Sequence, residues 1–124
     1  MSQDIVADGL NQIMNAKRAG KNSVKLSRYS KVLVSVLAIG KLKGYIDSYK
    51  VEGTELLVKF GKLNFCMAVK PRYLVKANEI DRYVRRYLPA RGMGMVLVST
   101  SQGLMTHQTA DDKNLGGSII AYFY

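Results

Sequence analysis

The stretch Val96-Leu-Val-Ser-Thr-Ser-Gln-Gly-Leu-Met-Thr106 decides the fold of the C-terminal half of the chain. Its apolar beginning predicts a strand over residues 95–98, and its polar centre predicts a turn over 99–103. The following residues predict a short helix over about 104–109. Two glycines then precede a last apolar run, which predicts a final strand over 118–123. This alternation indicates a mixed β/α module.

The upstream half predicts a second small α/β module. Its elements are, in chain order, a helix from Asp4 to near Asn15, a basic loop over 17–21, a strand over 23–26, a helix that starts after Ser30 and stops by Gly44, and strands over 45–51 and 55–60. A loop that contains Gly53 joins the last two strands at hairpin length. The predicted order of this module is αβαββ.

Two more elements complete the predicted architecture. A strand is expected over 65–70, and an amphipathic helix contains Ile80 and Tyr87 and is closed by Pro89. We therefore predict an α+β fold of two small α/β modules. The N-terminal αβαββ module spans residues 1–62, and the C-terminal mixed β/α module spans residues 63–124.

The charge of the chain favours a polyanionic partner. Its 124 residues include 19 Lys and Arg against 9 Asp and Glu, so the formal charge is +10, and such a field attracts nucleic acid. The sequence has no run of about 18 apolar residues and no signal segment, so we expect a soluble cytosolic protein with no membrane partner.

Cys66 has no Cys or His cluster beside it, and we expect it to be buried in a strand.

Three hydroxyl residues form the most distinctive local feature. Ser99, Thr100 and Ser101 lie in the predicted turn, which ends at Gly103. At the start of a helix, such residues suit phosphate or sugar contacts, because free backbone N–H groups and the helix dipole favour anions there. The alternative is simple N-capping of the helix by Ser101 or Thr100. The local sequence leaves both interpretations open.

A serine hydrolase is a rival interpretation of the same turn. Ser101 would follow a strand and precede a helix, as the nucleophile of a Gly-x-Ser-x-Gly elbow does, but Ser99 replaces the first glycine. The only histidine, His107, is expected on the same short helix, where it reaches the hydroxyl poorly, and we interpret it as a surface or RNA-facing residue. We expect no enzyme, and so no catalytic residue, cofactor, metal or small-molecule substrate. A basic protein-interaction module is the third hypothesis.

Basic residues near two helix ends provide another candidate surface. Lys17, Arg18 and Lys21 follow the first predicted helix, whereas Ser30 and Lys31 begin the second. A small α/β module could bring both groups to one side, where cations and hydroxyls would contact the backbone of folded RNA. A solvated basic loop is the alternative.

Arg72 and Tyr73 are a further candidate pair, directly after Pro71. A tyrosine beside an arginine can stack on a base of RNA. Tyr73 could equally belong to the core.

The turn and its flanks also carry a family resemblance. The most specific match combines Val96–Thr106 and His107 with the ending Leu115-Gly-Gly-Ser-Ile-Ile-Ala-Tyr-Phe-Tyr124. The match extends over essentially the whole chain, through Gln3–Asp8, Asn15-Ala16, Gly20-Lys21, Ser30-Lys31, Gly44–Ile46, Lys70–Tyr73 and Leu88–Arg91. Together these residues resemble the small-subunit ribosomal protein eight family, in its archaeal and eukaryotic cytosolic branch.

The resemblance implies a structural constituent of the small ribosomal subunit that binds the central domain of small-subunit rRNA and supports its assembly. It implies this rRNA and neighbouring small-subunit ribosomal proteins as partners, and a cytoplasmic location. The family's RNA-binding positions correspond here to Ser99, Thr100, Ser101 and Gly103 in the turn, and to Asn15, Lys17, Ser30 and Lys31 in the N-terminal module.

Overall fold

The computed structural model describes residues 5–69, 74–89 and 93–124. Contacts between these residues divide the chain into two units, one up to residue 67 and one from residue 68 onward. The chain combines helices with antiparallel sheets, so the predicted α+β class is confirmed. The module boundary predicted after residue 62 stays a prediction.

The N-terminal unit has the predicted αβαββ order. Its elements are α1 (Ile5–Arg18), β1 (Ser23–Leu26), α2 (Lys31–Leu42), β2 (Ile46–Glu52) and β3 (Glu55–Phe60). β3 pairs antiparallel with both other strands, so the sheet has the order β1-β3-β2. α2 begins where the sequence predicts, because Ser30 Oγ accepts a hydrogen bond from the Leu33 N–H at 3.2 Å.

Both helices of this unit contribute to one apolar core with the sheet. The largest buried side chains from helices and strands are Leu10, Ile13, Leu26, Leu33, Leu37, Ile46 and Leu56. Gly9 allows a close approach of α1 and α2, since a Cβ atom there would lie 2.8 Å from Leu33 Cδ2. Lys25, Lys50 and Lys59 are exposed on the strands. The alternation of buried and exposed strand residues leaves one sheet face to solvent.

α1 extends to Arg18 and not only to the predicted end near Asn15. Ala16 is buried, which gives the last turn an apolar contact, and cations are favourable at a helix C-terminus because of the helix dipole. Gly20, with φ of +80°, ends the helix, and the Lys21 N–H donates to the Ala16 carbonyl oxygen at 3.0 Å. Lys17 and Arg18 therefore belong to the helix and not to the predicted loop.

The second half of the chain forms the other sheet. Its elements are β4 (Cys66–Ala68), β5 (Leu74–Val75), a 3₁₀ turn (Ala77–Glu79), α3 (Ile80–Tyr87), β6 (Met95–Thr100), β7 (Gly103–Thr106), α4 (His107–Asp112) and β8 (Gly117–Phe123). The strand order is β4-β8-β6-β7, and β5 also pairs with β8. The core of the C-terminal unit includes Ile80, Val96, Val98, Met105 and Ile119.

The short helix predicted from Leu104 is wrong at its start. Residues 103–106 form β7, which pairs with β6 from Thr100 opposite Gly103 to Leu97 opposite Thr106. The helix begins at His107, because the Thr106 side chain caps it by accepting a hydrogen bond from the Thr109 N–H at 3.3 Å. Pairing with a neighbouring strand thus decides the structure of a segment too short to show a period.

Cys66 is buried at 2% exposure in β4, as predicted. Its thiol donates a weak hydrogen bond to the Leu10 carbonyl oxygen at 3.8 Å. Burial raises the pKa of the thiol from 9.0 to about 12, because the apolar surroundings penalise the thiolate. The thiol is therefore neutral and inert near neutral pH.

The buried thiol predicts a pH-dependent stability. An unfolded chain ionises Cys66 near its ordinary pKa of 9.0, whereas the folded chain keeps the proton until about 12. Stability from this group is therefore present below the lower value and is lost as the pH rises between the two. Wild type is expected to lose up to about 1.4 kcal/mol per pH unit more than Cys66→Ala in that window. Denaturant unfolding of both proteins across the window measures this, and parallel pH profiles would contradict it.

Candidate nucleic-acid interface

The polar turn predicted as the main site is the tip of the β6–β7 hairpin. Thr100 pairs with Gly103, so Ser101 and Gln102 connect the two strands. Thr100 Oγ1 accepts a hydrogen bond from the Gln102 N–H at 3.1 Å and donates to the Gly103 carbonyl oxygen at 2.9 Å. Gly103 has φ of +110°, which residues with side chains rarely adopt. Thr100 and Gly103 therefore hold the turn in one shape.

Ser101 in the turn and Ser99 near the end of β6 are the hydroxyl residues that this hairpin tip presents to solvent. Neither side chain has a hydrogen-bond partner within the described ranges. The alternative interpretation, in which Ser101 or Thr100 caps a helix, is wrong, because a strand follows the turn and Thr106 caps α4. No helix dipole favours anions at the turn. It can act through two exposed hydroxyls on a fixed backbone.

The hairpin also separates Ser101 from His107. All of β7 lies between them, and four residues of strand span about 13 Å. His107 is half-buried, and its Nδ1 accepts a hydrogen bond from the Val96 N–H at 3.0 Å. A nucleophile and its base must lie within hydrogen-bond reach, so this geometry does not support the hydrolase interpretation. The contact gives His107 a structural role in place of the surface or RNA-facing role expected.

Replacing His107 by alanine is expected to destabilise the protein by about 1–3 kcal/mol, because the Val96 N–H loses its acceptor. His107→Asn places an amide oxygen close to the position of Nδ1 and should recover part of the loss. Thermal unfolding followed by circular dichroism measures both variants. Equal melting temperatures for wild type and His107→Ala would refute the structural role.

Asn15, Lys17, Arg18 and Lys21 lie together at the C-terminal end of α1, and we call them the α1 cluster. Lys17 is half-buried, and the other three residues are exposed. None of the three cations forms an ion pair with an acidic residue in the part of the chain that the structure describes. The α1 cluster is therefore a local concentration of uncompensated positive charge.

Acidic neighbours compensate several other cations of the same unit. The pairs, with N···O distances between 3.0 and 3.8 Å, are Lys25–Glu55, Arg28–Asp8, Lys50–Glu52 and Lys59–Asp47. All of them are exposed, and such pairs contribute little to stability. Their consequence is electrostatic, since the three pairs formed by strand lysines weaken the attraction of the open sheet face for a polyanion.

Ser30 and Lys31 lie away from the α1 cluster along the axis of α1, and the expectation that both groups share one side stays a prediction. Arg28, just before them, pairs with Asp8 near the start of α1, whereas Arg18 ends that helix. The helical rise between residues 8 and 18 is about 15 Å. Ser30 Oγ is engaged as the cap of α2, and Lys31 is exposed. An RNA that contacts both groups would therefore have to reach along much of α1.

Arg72 and Tyr73, the candidate pair for stacking on a base, lie outside the described residues.

Among residues 5–69, 74–89 and 93–124, no group of three His, Cys, Asp or Glu side chains could hold a metal ion. The helices found in these ranges are too short or too polar to cross a membrane.

Comparison with known proteins identifies the family. The family model of Ribosomal protein S8 matches residues 4–124. Small ribosomal subunit proteins uS8A and uS8B of Schizosaccharomyces pombe are each 36% identical to this chain over 127 residues, covering 98% of this chain and 98% of each relative. Both relatives are eukaryotic, in agreement with the predicted branch. The chain therefore belongs to the ribosomal protein S8 family.

Proposed function

We propose that this protein is a structural constituent of the small ribosomal subunit that binds the central domain of small-subunit rRNA and supports its assembly. Its family, and two relatives named as small ribosomal subunit proteins, support the subunit role. The proposed location is the cytoplasm, and the proposed further partners are neighbouring small-subunit ribosomal proteins. The mechanism is binding, with no bond made or broken.

One observation carries the RNA-binding part of the proposal, namely the exposed hydroxyls of Ser99, near the end of β6, and of Ser101, in the β6–β7 turn. Thr100 and Gly103 hold the turn, so little conformational entropy is lost when RNA binds. Hydroxyl groups both donate and accept, which suits the 2′-OH and phosphate contacts by which A-form RNA is recognised. The turn would supply selectivity for one RNA geometry.

Positive charge would supply the long-range attraction. The formal charge is +10, and the cations of the α1 cluster form no ion pair with an acidic residue among residues 5–69, 74–89 and 93–124. Contacts with phosphate fix position and orientation and do not read sequence. The residues proposed for such contacts, beside the turn, are Asn15, Lys17, Arg18, Lys21, Ser30 and Lys31, with Arg72 and Tyr73 as the proposed pair after Pro71.

Sedimentation of the tagged protein in cell extract tests this function. We expect the protein to migrate with small ribosomal subunits and to leave that fraction after ribonuclease treatment. A protein that never migrates with the subunit and keeps a protein partner after nuclease treatment would instead support the interaction-module hypothesis.

A further inference from the structure

A small pocket lies beside α1 within the N-terminal unit. Its volume is about 210 Å³. Its lining residues are Asn11, Met14, Asn15, Arg18, Phe65, Cys66 and Met67. Only two of these, Asn15 and Arg18, are positions that the sequence singles out for RNA.

One wall of the pocket is polar and comes from α1. Asn11, Asn15 and Arg18 follow one another at spacings of four and three residues, which places them on one helix face. All three are exposed, and their side chains have no hydrogen-bond or ion-pair partner among the described residues. Each amide offers both donors and an acceptor, and the guanidinium offers five donors. This wall can therefore bind the polar edge of a ligand.

The rest of the lining is largely apolar and comes from Met14 of α1 and from residues 65–67. Phe65 is half-buried, and Met67 is 43% exposed. Met14 and Cys66 are buried, and the Cys66 N–H donates a hydrogen bond to Met14 Sδ at 3.3 Å. This contact and the one from the Cys66 thiol to Leu10 hold the segment against α1. The pocket therefore exists before a ligand enters it.

We propose that this pocket binds one unstacked base of the rRNA. The proposal rests on the proposed RNA-binding function and adds a site with a defined chemical class of ligand. Proteins recognise splayed RNA bases by stacking them on aromatic side chains or guanidinium planes and by hydrogen-bonding their edges. Phe65 and Arg18 can supply the stacking, and the amides of Asn11 and Asn15 can supply the edge contacts. Lys17 and Lys21 would hold the adjoining phosphates.

An acidic peptide fits the same surface less well. Carboxylates would use the cations of the α1 cluster, but they would leave the ring of Phe65 and the acceptor groups of Asn11 and Asn15 without a role. The combination of an aromatic wall with amides is what separates base recognition from simple attraction of anions.

Binding of the full-length protein to a transcript of the rRNA central domain tests the pocket. The proteins compared by fluorescence anisotropy at several salt concentrations are wild type, Phe65→Leu, Asn11→Ala and a control, Asn64→Ala, which is exposed and does not line the pocket. Phe65→Leu should bind the transcript about five- to hundredfold more weakly than wild type, because it loses one base–aromatic stack. Asn11→Ala should also bind more weakly. Because no charge changes, both should keep the wild-type salt dependence, and Asn64→Ala should bind as wild type does.

The outcomes separate the pocket from the function. If wild type binds the transcript and both pocket variants bind equally well, the pocket is not a base site, and a protein neighbour becomes its better occupant. If wild type does not bind the transcript, this result contradicts both the proposed function and the proposed base site. Should Phe65→Leu lower the melting temperature, Asn11→Ala decides the question, because alanine at an exposed helix position does not unfold a helix.

Discussion

If the proposed function holds, Ser101→Glu is expected to weaken binding of a stem from the central domain of small-subunit rRNA, here called the cognate stem, by more than tenfold and to leave the melting temperature almost unchanged. A lost hydrogen bond in a desolvated interface costs about 1–3 kcal/mol, and the new carboxylate adds repulsion from phosphate. Ser101 is exposed and its hydroxyl has no partner within the described ranges, so the folded protein itself loses nothing. A surface change of this kind alters stability by about 0.5 kcal/mol or less.

Ser35→Glu is the matched control, because Ser35 is exposed on α2 and the substitution changes the charge by the same amount. It should bind the stem nearly as wild type does. Thr100→Val should show a different pattern, since it removes both hydrogen bonds that shape the turn and should lower the melting temperature as well. Paired melting and anisotropy measurements distinguish the three. Wild-type affinity in Ser101→Glu would mean that the hairpin tip is not the RNA site.

The N-terminal order could be predicted because its signals are local. Helical spacing of apolar residues marks α1 and α2, and Ser30 is a capping residue immediately before α2. Gly44 takes φ of +87°, a conformation that favours glycine. The glycine in the sequence therefore also predicts the end of α2. Each signal involves residues within one or two turns of the element that it defines.

The nature of the turn could not be predicted in the same way. The four residues of β7 fit a strand or a first helical turn equally well, and their pairing with β6 decides between the two. Of the predicted turn over 99–103, only Ser101 and Gln102 connect two elements, because Ser99 and Thr100 extend β6 and Gly103 begins β7. The element that follows the turn is a strand and not the predicted helix. The position of His107 followed from the same error, since its bond to Val96 exists only when the hairpin forms.

The pocket beside α1 could not be predicted from the sequence, because it depends on contacts between distant residues. The spacing of Asn11, Asn15 and Arg18 is visible in the sequence and could have indicated a polar helix face. Phe65 and Met67 reach that face only through contacts between residues more than 50 positions apart, such as Cys66 with Met14. No local pattern could bring those two walls together.

Lys21→Glu is expected to weaken binding of cognate and unrelated RNA by a similar factor, about tenfold at low salt, and to reduce the salt dependence. Loss of one phosphate contact lowers the slope of log affinity against log salt by about one, and the reversed charge adds repulsion. Lys21 is exposed and forms no ion pair with a described residue, and only its backbone N–H helps to end α1. The fold should therefore be unaffected.

Lys50→Glu separates this local effect from net charge, because it changes the charge by the same two units on the open sheet face. Lys50 is exposed and already paired with Glu52 at 3.4 Å, so its share of the attraction is weakened in the native protein. If the α1 cluster contacts phosphate, Lys21→Glu should lose clearly more affinity than Lys50→Glu, and the difference should shrink at about 1 M salt, where charges are screened within about 3 Å. Equal losses would show that overall charge alone governs binding.

The preference for the cognate stem should survive Lys21→Glu and decline in Ser101→Glu, because phosphate contacts position the RNA without selecting it.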